Sequence, residues 1–188
     1  MSVVVELKAP TQHIHYEIVE QCRLGDREAF YKLYRLYSRS MYNIGYRIVN
    51  NTGEAEDVLQ EAFISAFRNL AYYRADASFG SWLKRIVVNK AINVIKKRKG
   101  MQLEMDDDFD VVEAAKPEEP EFPFSVDVVK MAISLLPDGY RSVLSLYLLE
   151  GYDHAEIAEI LGISESTSKS QFNRSKKKLR EILEGDKL

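Results

Sequence analysis

Cysteine, histidine and long apolar runs are all scarce in this 188-residue chain, and each scarcity removes a class of function. The single cysteine, Cys22, rules out a disulfide within the chain and leaves no second thiol for a zinc cluster. Of the three histidines, His13 and His15 lie in a start without helical pattern and His154 is remote, so no third metal ligand falls within reach. No Gly-rich phosphate loop or Ser-His-Asp arrangement stands out, and no catalytic residue, metal or cofactor is expected. The apolar run at residues 3–5 stops at Glu6, too short for a signal-peptide core, and no run of about 18 apolar residues follows. The expectation is a soluble, cytoplasmic protein with no membrane insertion. Strand signals are weak as well, since polar and apolar residues nowhere alternate for long. A net charge of −3 argues against a uniformly basic coat for nucleic acid, so the distribution of charge matters more than its total.

That distribution is uneven. Residues 82–99 carry seven basic side chains and no acid, and residues 166–180 carry six and no acid. Between them, residues 104–121 hold nine acids against one lysine, with prolines at 117, 120 and 123 in and just beyond the stretch. This stretch lacks helical periodicity and reads as an extended linker. The apolar content of 46% is ample for folded blocks on either side of it. The predicted fold is all-α: two small helical domains joined by an acidic flexible linker, the second a helix-turn-helix. Helices are predicted at about residues 16–24, 27–49, 54–70 and 79–97, then at about 125–135, 139–150, 154–161 and 165–183. On the third, Leu59, Phe63, Ala66, Phe67 and Leu70 form one apolar stripe, with Glu54, Asp57 and Glu61 opposite. Asp153 and Glu156 have the spacing of a capping box, Gly162 ends that helix, and Ser164 caps the next. A short helix, a glycine turn and a longer helix make the helix-turn-helix.

The two basic segments are each two-sided. On the last helix, steps of 100° put Ser168, Phe172, Ser175, Leu179 and Ile182 on one side and Ser166, Ser170, Asn173, Arg174 and Lys177 on the other. Arginine can bond guanine bidentately, Asn and Ser offer short donors and acceptors, and Lys meets phosphate, so this side suits the major groove of DNA. A lone basic helix would more simply be a solvated face; the capped helix in front of it favours DNA. On the helix near residues 79–97, Leu83, Val87, Ala91 and Val94 share one side, extended by Val88, Ile92 and Ile95. Trp82, Arg85, Ile86, Asn89, Asn93, Lys96 and Lys97 share another. Two asparagines on a basic stripe lower helix propensity and have no use in a core, but they can face nucleic acid. Trp82 suits either a core or a stacking surface, and the loop at residues 71–78, with two tyrosines and an arginine, can cradle an unstacked base.

Three stretches, "GEAEDVLQEAFISAFRNL", "FGSWLKRIVVNKAINVIKKRK" and "LPDGYRSVLSLYLLEGYDHAEIAEILGISESTSKSQFNRSKKKLR", together resemble the extracytoplasmic-function (ECF) class of bacterial sigma factors, a minimal branch of the sigma-70 family. The resemblance implies that residues 1–100 are the family's second conserved region, which clamps core RNA polymerase and opens the −10 promoter element. It implies that residues 125–188 are the fourth region, which binds the −35 element as duplex. Residues 101–124 would be the linker that runs through a basic channel of the polymerase. By position, Asp57, Gln60 and Glu61 match the polymerase contact, and Asn89 and Asn93 the asparagines at the −10 element, with Arg85, Lys96 and Lys97 on the same stripe. Lys169, Ser170, Gln171, Asn173 and Arg174 match the −35 readers, beside Ser166 and Lys177, and Lys176 to Lys178 would meet phosphates. Two positions depart from the family. Ser168 stands where an apolar residue is common, which loosens the packing expected beneath the recognition helix. Gln171 stands where arginine is common, which removes a charge and shifts base preference toward adenine. The implied partners are core RNA polymerase, promoter DNA and an inhibitory anti-sigma factor. The alternative is a helix-turn-helix regulator that binds duplex DNA without polymerase; it leaves the asparagine stripe and the acidic face unexplained.

Overall fold

The computed structural model describes residues 14–98 and 124–185, and the acidic, proline-bearing stretch expected to be a linker lies outside them, as do His13 and Lys99. Four helices form the first block: α1 (Tyr16–Arg23), α2 (Arg27–Val49), α3 (Thr52–Arg68) and α4 (Phe79–Arg98). A short 3-10 turn at Leu70–Tyr72 follows α3. The second block holds α5 (Val126–Ser134), α6 (Asp138–Leu148), α7 (His154–Leu161) and α8 (Glu165–Gly185). No strand occurs among the described residues.

Side chains at the helix ends explain the boundaries. Asp26 Oδ1 accepts from the Glu28 amide at 2.9 Å and starts α2. Asn50 ends α2 in the left-handed region, φ 53°, and Asn51 Oδ1 accepts from the Glu54 amide at 3.0 Å to start α3. Two asparagines thus suffice for a turn that the sequence reading spread over four residues, and Gly53 lies inside the helix. Asparagine tolerates both roles because its short amide bonds to nearby backbone. His15, placed by sequence in an irregular start, precedes α1 and hydrogen-bonds the Tyr37 hydroxyl at 2.9 Å.

In the first block α2 packs against α3 and α4 over Leu33, Ile48, Val58, Phe63, Leu83, Val87 and Ile95, each at most 3% exposed. The start of α4 lies close on α2, and a Cβ on Gly80 would come within 2.8 Å of the Tyr37 ring. Glycine is what permits that approach. In the second block α7 carries the capping box of Asp153 and Glu156, with both of its hydrogen bonds formed. Gly162 ends α7 at φ 74°, and Ser164 Oγ accepts from the Thr167 amide at 3.0 Å at the start of α8.

The two blocks share one apolar interior. Val143, Leu146, Ile157 and Leu161 of the second belong to the same buried cluster as Ile48, Val49 and Ile95 of the first. Polar groups seal the seam. Arg141 is 4% exposed and donates to the Ile48 carbonyl at 3.3 Å and to the Leu136 carbonyl at 2.6 Å. Asn50 Nδ2 donates to the Ser134 carbonyl at 2.9 Å, and Arg47 Nε donates to the Glu150 carboxylate at 3.0 Å.

Candidate nucleic-acid interface

Alternation of burial along α4 separates its two sides. Leu83, Val87, Val88, Ala91, Ile92 and Ile95 are buried, and Val94 and Ile86 are half-buried against the core. Arg85, Asn89, Asn93 and Lys97 are exposed and Lys96 half-buried, so the five residues expected at the −10 element share one stripe about 18 Å long. No acid precedes them in the first turn of α4, and Lys96, Lys97 and Arg98 crowd its last turn, where the helix dipole favours cations.

At the start of that stripe lies a cavity of about 540 Å³. One wall is the loop after α3 with the start of α4: Tyr72, Arg74, Asp76, Trp82 and Arg85. The two tyrosines of this loop part company. Tyr73 is 4% exposed, donates its hydroxyl to the Ala77 carbonyl at 2.7 Å and has its pKa raised by burial, whereas Tyr72 is 78% exposed. Trp82 packs on Tyr73 and Phe79 at 5.3 and 5.7 Å between ring centres and still borders the cavity, so it serves the core and the wall together. The opposite wall is Glu150, Tyr152, Glu156, Glu159 and Ile160 of the second block. Nothing local in the sequence announces that second wall, which arrives from more than sixty residues downstream.

On α8 the outward side carries Ser166, Lys169, Asn173 and Lys177 exposed and Ser170 and Arg174 half-buried. Lys169 pairs with Glu165 at 2.6 Å, Lys178 with Glu181 at 3.2 Å, and Lys176 lies 4.7 Å over the Phe172 ring. Lys177 is exposed without such a partner among the described residues. Gln171, expected among the −35 readers, departs from this face. It is 5% exposed, on the inward stripe with Ser168 and Ser175, three residues after the one and four before the other. At 100° per residue Gln171 falls on the border between the two sides, three residues before Arg174 and four before Ser175, and the packing of the block takes it inward.

Ser168 is fully buried and hydrogen-bonds His154 Nδ1 at 2.9 Å. His154 in turn stacks on Tyr147 at 4.6 Å and meets the Phe172 edge at 5.6 Å. Where the sequence led us to expect loose packing under the recognition helix, a hydrogen bond and a three-ring cluster hold α7 to α8. Desolvation by burial, with Lys169 adding to it, lowers the His154 pKa.

On α3, Asp57, Gln60 and Glu61 are exposed together, and Glu61 pairs with Lys90 at 3.1 Å. Ile64, 50% exposed, continues the same stripe and was missed by sequence reasoning. Its signal was available: it falls seven residues after Asp57, outside the apolar stripe. Among the described residues no group of three or more His, Cys, Asp or Glu could hold a metal, and no described helix is long and apolar enough to cross a membrane.

Comparison with known proteins identifies the family. The family profile of Sigma-70 region 2 matches residues 33–100, and that of Sigma-70 region 4 matches residues 127–179. ECF RNA polymerase sigma factor SigW of Bacillus subtilis is 32% identical over 177 residues, covering 88% of this chain and 94% of the relative. ECF RNA polymerase sigma-E factor of Escherichia coli K12 is 32% identical over 170 residues, covering 85% and 88%. Among solved structures, the fold resembles that of the sigma factor RpoE in complex with the anti-sigma factor NepR from Bartonella quintana, with a TM-score of 0.55, 21% identity, and coverage of 84% of this chain and 98% of that one. CnrH, solved with the cytosolic domain of CnrY, has a TM-score of 0.54 at 21% identity, covering 90% and 97%. The chain belongs to the extracytoplasmic-function class of RNA polymerase sigma factors in the sigma-70 family.

Proposed function

We propose that this sigma factor, which directs RNA polymerase to its promoters, does so with three faces on separate helices. Residues 1–100 act as region 2, 101–124 as the linker and 125–188 as region 4. Asp57, Gln60 and Glu61 of α3, with Ile64 beside them, hold core polymerase. Arg85, Asn89, Asn93, Lys96 and Lys97 of α4 take the unpaired −10 strand. Ser166, Lys169, Ser170, Asn173, Arg174 and Lys177 of α8 read the −35 duplex, and buried Gln171 supports that helix from beneath. The chain works in the cytoplasm beside polymerase and catalyses no reaction of its own. The sigma factor RpoE, whose fold is similar, was solved in complex with the anti-sigma factor NepR, and an anti-sigma partner is proposed here too.

The observation that carries this reading is the exposed stripe of α4 leading into a ring-lined cavity. A duplex-only regulator has no use for it, whereas a base leaving the stack needs both a pocket and phosphate partners. Extruding that base costs a few kcal/mol. Polymerase contacts through α3 offset this, and the two DNA faces then act bivalently on one promoter. Run-off transcription with purified core polymerase tests the proposal. A specific transcript is expected only when the chain is added, and Asn89→Ala/Asn93→Ala should lose it while still binding polymerase. Transcription unaffected by that pair would remove α4 from the −10 assignment.

A further inference from the structure

The second block buries four serines, each at most 1% exposed: Ser142 and Ser145 of α6, and Ser168 and Ser175 of α8. A hydroxyl enclosed in this way needs a hydrogen-bond partner. Ser142 Oγ donates to the Asp138 carbonyl and Ser175 Oγ to the Phe172 carbonyl, both at 2.7 Å and both within their own helix. Such bonds satisfy the hydroxyl without fixing how one helix lies on another. Ser145 Oγ has no hydrogen-bond partner among the described residues. Of the four, only Ser168 reaches a second helix, at His154 Nδ1, 2.9 Å away. The imidazole is itself held. Tyr147 of α6, His154 of α7 and Phe172 of α8 meet with ring centres 4.5 to 5.6 Å apart, and the Tyr147 and His154 planes lie within 19° of each other. Along α8, these anchors alternate with the outward residues: Ser168 precedes Lys169 and Ser170, and Phe172 precedes Asn173 and Arg174. A roll of α8 about its own axis therefore moves every outward side chain. With side chains reaching about 5–6 Å from a helix axis, a roll of about 10° displaces them by about 1 Å. Precise recognition tolerates only about 0.5 Å.

We propose that His154 is a positioning residue for −35 recognition: bonded to Ser168, it fixes the roll of α8 and thereby which base edges Asn173 and Arg174 meet. The inference rests on the assignment of α8 to the −35 duplex. An apolar residue at position 168 would fill the space and tolerate a small roll, because apolar contact has no preferred direction. A hydrogen bond weakens steeply as its angle opens, so serine at this position exchanges some buried apolar area for a fixed orientation. The consequence falls on specificity more than on affinity. Lysine reaches phosphate as a compact charge on a flexible stem, and it follows a shifted oxygen. Base edges demand alignment, since their donors and acceptors lie at fixed places in the groove. Loss of the bond therefore blurs the choice among −35 sequences and leaves attraction to the phosphate backbone in place.

The test uses holoenzyme reconstituted from core polymerase and the full-length chain, with run-off transcription on promoters that differ only in the −35 element. Valine and threonine share one shape, so Ser168→Val and Ser168→Thr differ in the hydroxyl and not in the strain of an added methyl. The ratio of transcription from the best to the worst promoter should fall about tenfold in Ser168→Val and recover in Ser168→Thr. His154→Phe keeps a ring in the stack and removes the bond by another route. It should lower the ratio as Ser168→Val does, and the two changes together should lower it no further. Holoenzyme affinity for duplex DNA of random sequence, read by fluorescence anisotropy, should stay nearly unchanged throughout. Equal ratios for the valine and threonine variants, or losses spread evenly over all promoters, would make the bond a packing contact and overturn the proposal. Discrimination by the wild type would in that case leave the sigma reading intact. A wild type that uses every −35 variant equally removes the −35 assignment of α8, and the role of His154 falls with it.

Discussion

Arg174 and Lys177 sit three residues apart on α8, yet their chemistry separates their roles. A guanidinium placed over a base edge gives discrimination, while an exposed ammonium gives only attraction to phosphate. Arg174→Ala should lower transcription by an amount that depends on the −35 sequence, about 1–3 kcal/mol at the best site. Lys177→Ala should weaken all promoters alike and reduce the salt slope of binding by about one. Transcription across a set of −35 variants, repeated at several salt concentrations, separates the two. His154 gives a second prediction. Its folded pKa lies below the ordinary 6.5, so the unfolded chain takes up the proton first as pH falls. The stability that neutral His154 contributes is complete above 6.5 and drains as pH drops from there toward the folded pKa. His154→Gln can still bond Ser168 and should flatten that part of the profile, read by thermal denaturation at about pH 7.5 and about pH 5.5.

Among the elements, α7 is the shortest piece of the DNA-binding block and depends most on its ends. Its eight residues are too few to be stable by propensity alone. Asp153 accepts from the Glu156 amide at 2.8 Å, and Glu156 returns a bond to the Asp153 amide at 2.9 Å. Asp153→Ala should cost about 1 kcal/mol of stability, a drop in melting midpoint visible by circular dichroism. The outline of α8 is another matter of element scale. A period of 3.6 residues assigns Ser168, Phe172 and Ser175 inward, as the structure has them, and leaves Gln171 on the border of the two sides, where packing decides. The family correspondence placed it outside because it matches positions along a motif and not angles around this helix.

For the whole molecule, the shared interior predicts that the two blocks unfold as one unit. Leu146 is fully buried within the cluster that joins them. Leu146→Ala should cost about 2–5 kcal/mol. Trp82 is the sole tryptophan and lies in the first block, so its fluorescence reports on that block and on the cavity it shares with the second. If the blocks are coupled, the Trp82 midpoint and the helical signal should fall together in this variant of the second block. A Trp82 midpoint that stays put would mean that the two blocks unfold independently.

The sequence by itself determined the helices, their caps, the charge blocks and the outward sides of α3, α4 and α8. Each follows from spacing within a few residues, from periodicity, or from cap chemistry at Asp153, Gly162 and Ser164. The polymerase and promoter roles also lay in contiguous motifs. Only the tertiary structure decided that Ser168 meets His154, that Tyr73 and Tyr72 part company, that Glu159 stands before Arg85 and that Glu150 pairs with Arg47. Those pairings join side chains far apart along the chain, and their energies come from burying Val143, Leu146, Ile157 and Leu161 against the first block. Burial against a distant segment leaves no local pattern beyond an apolar residue, so no reading along the chain can say which surface will cover it.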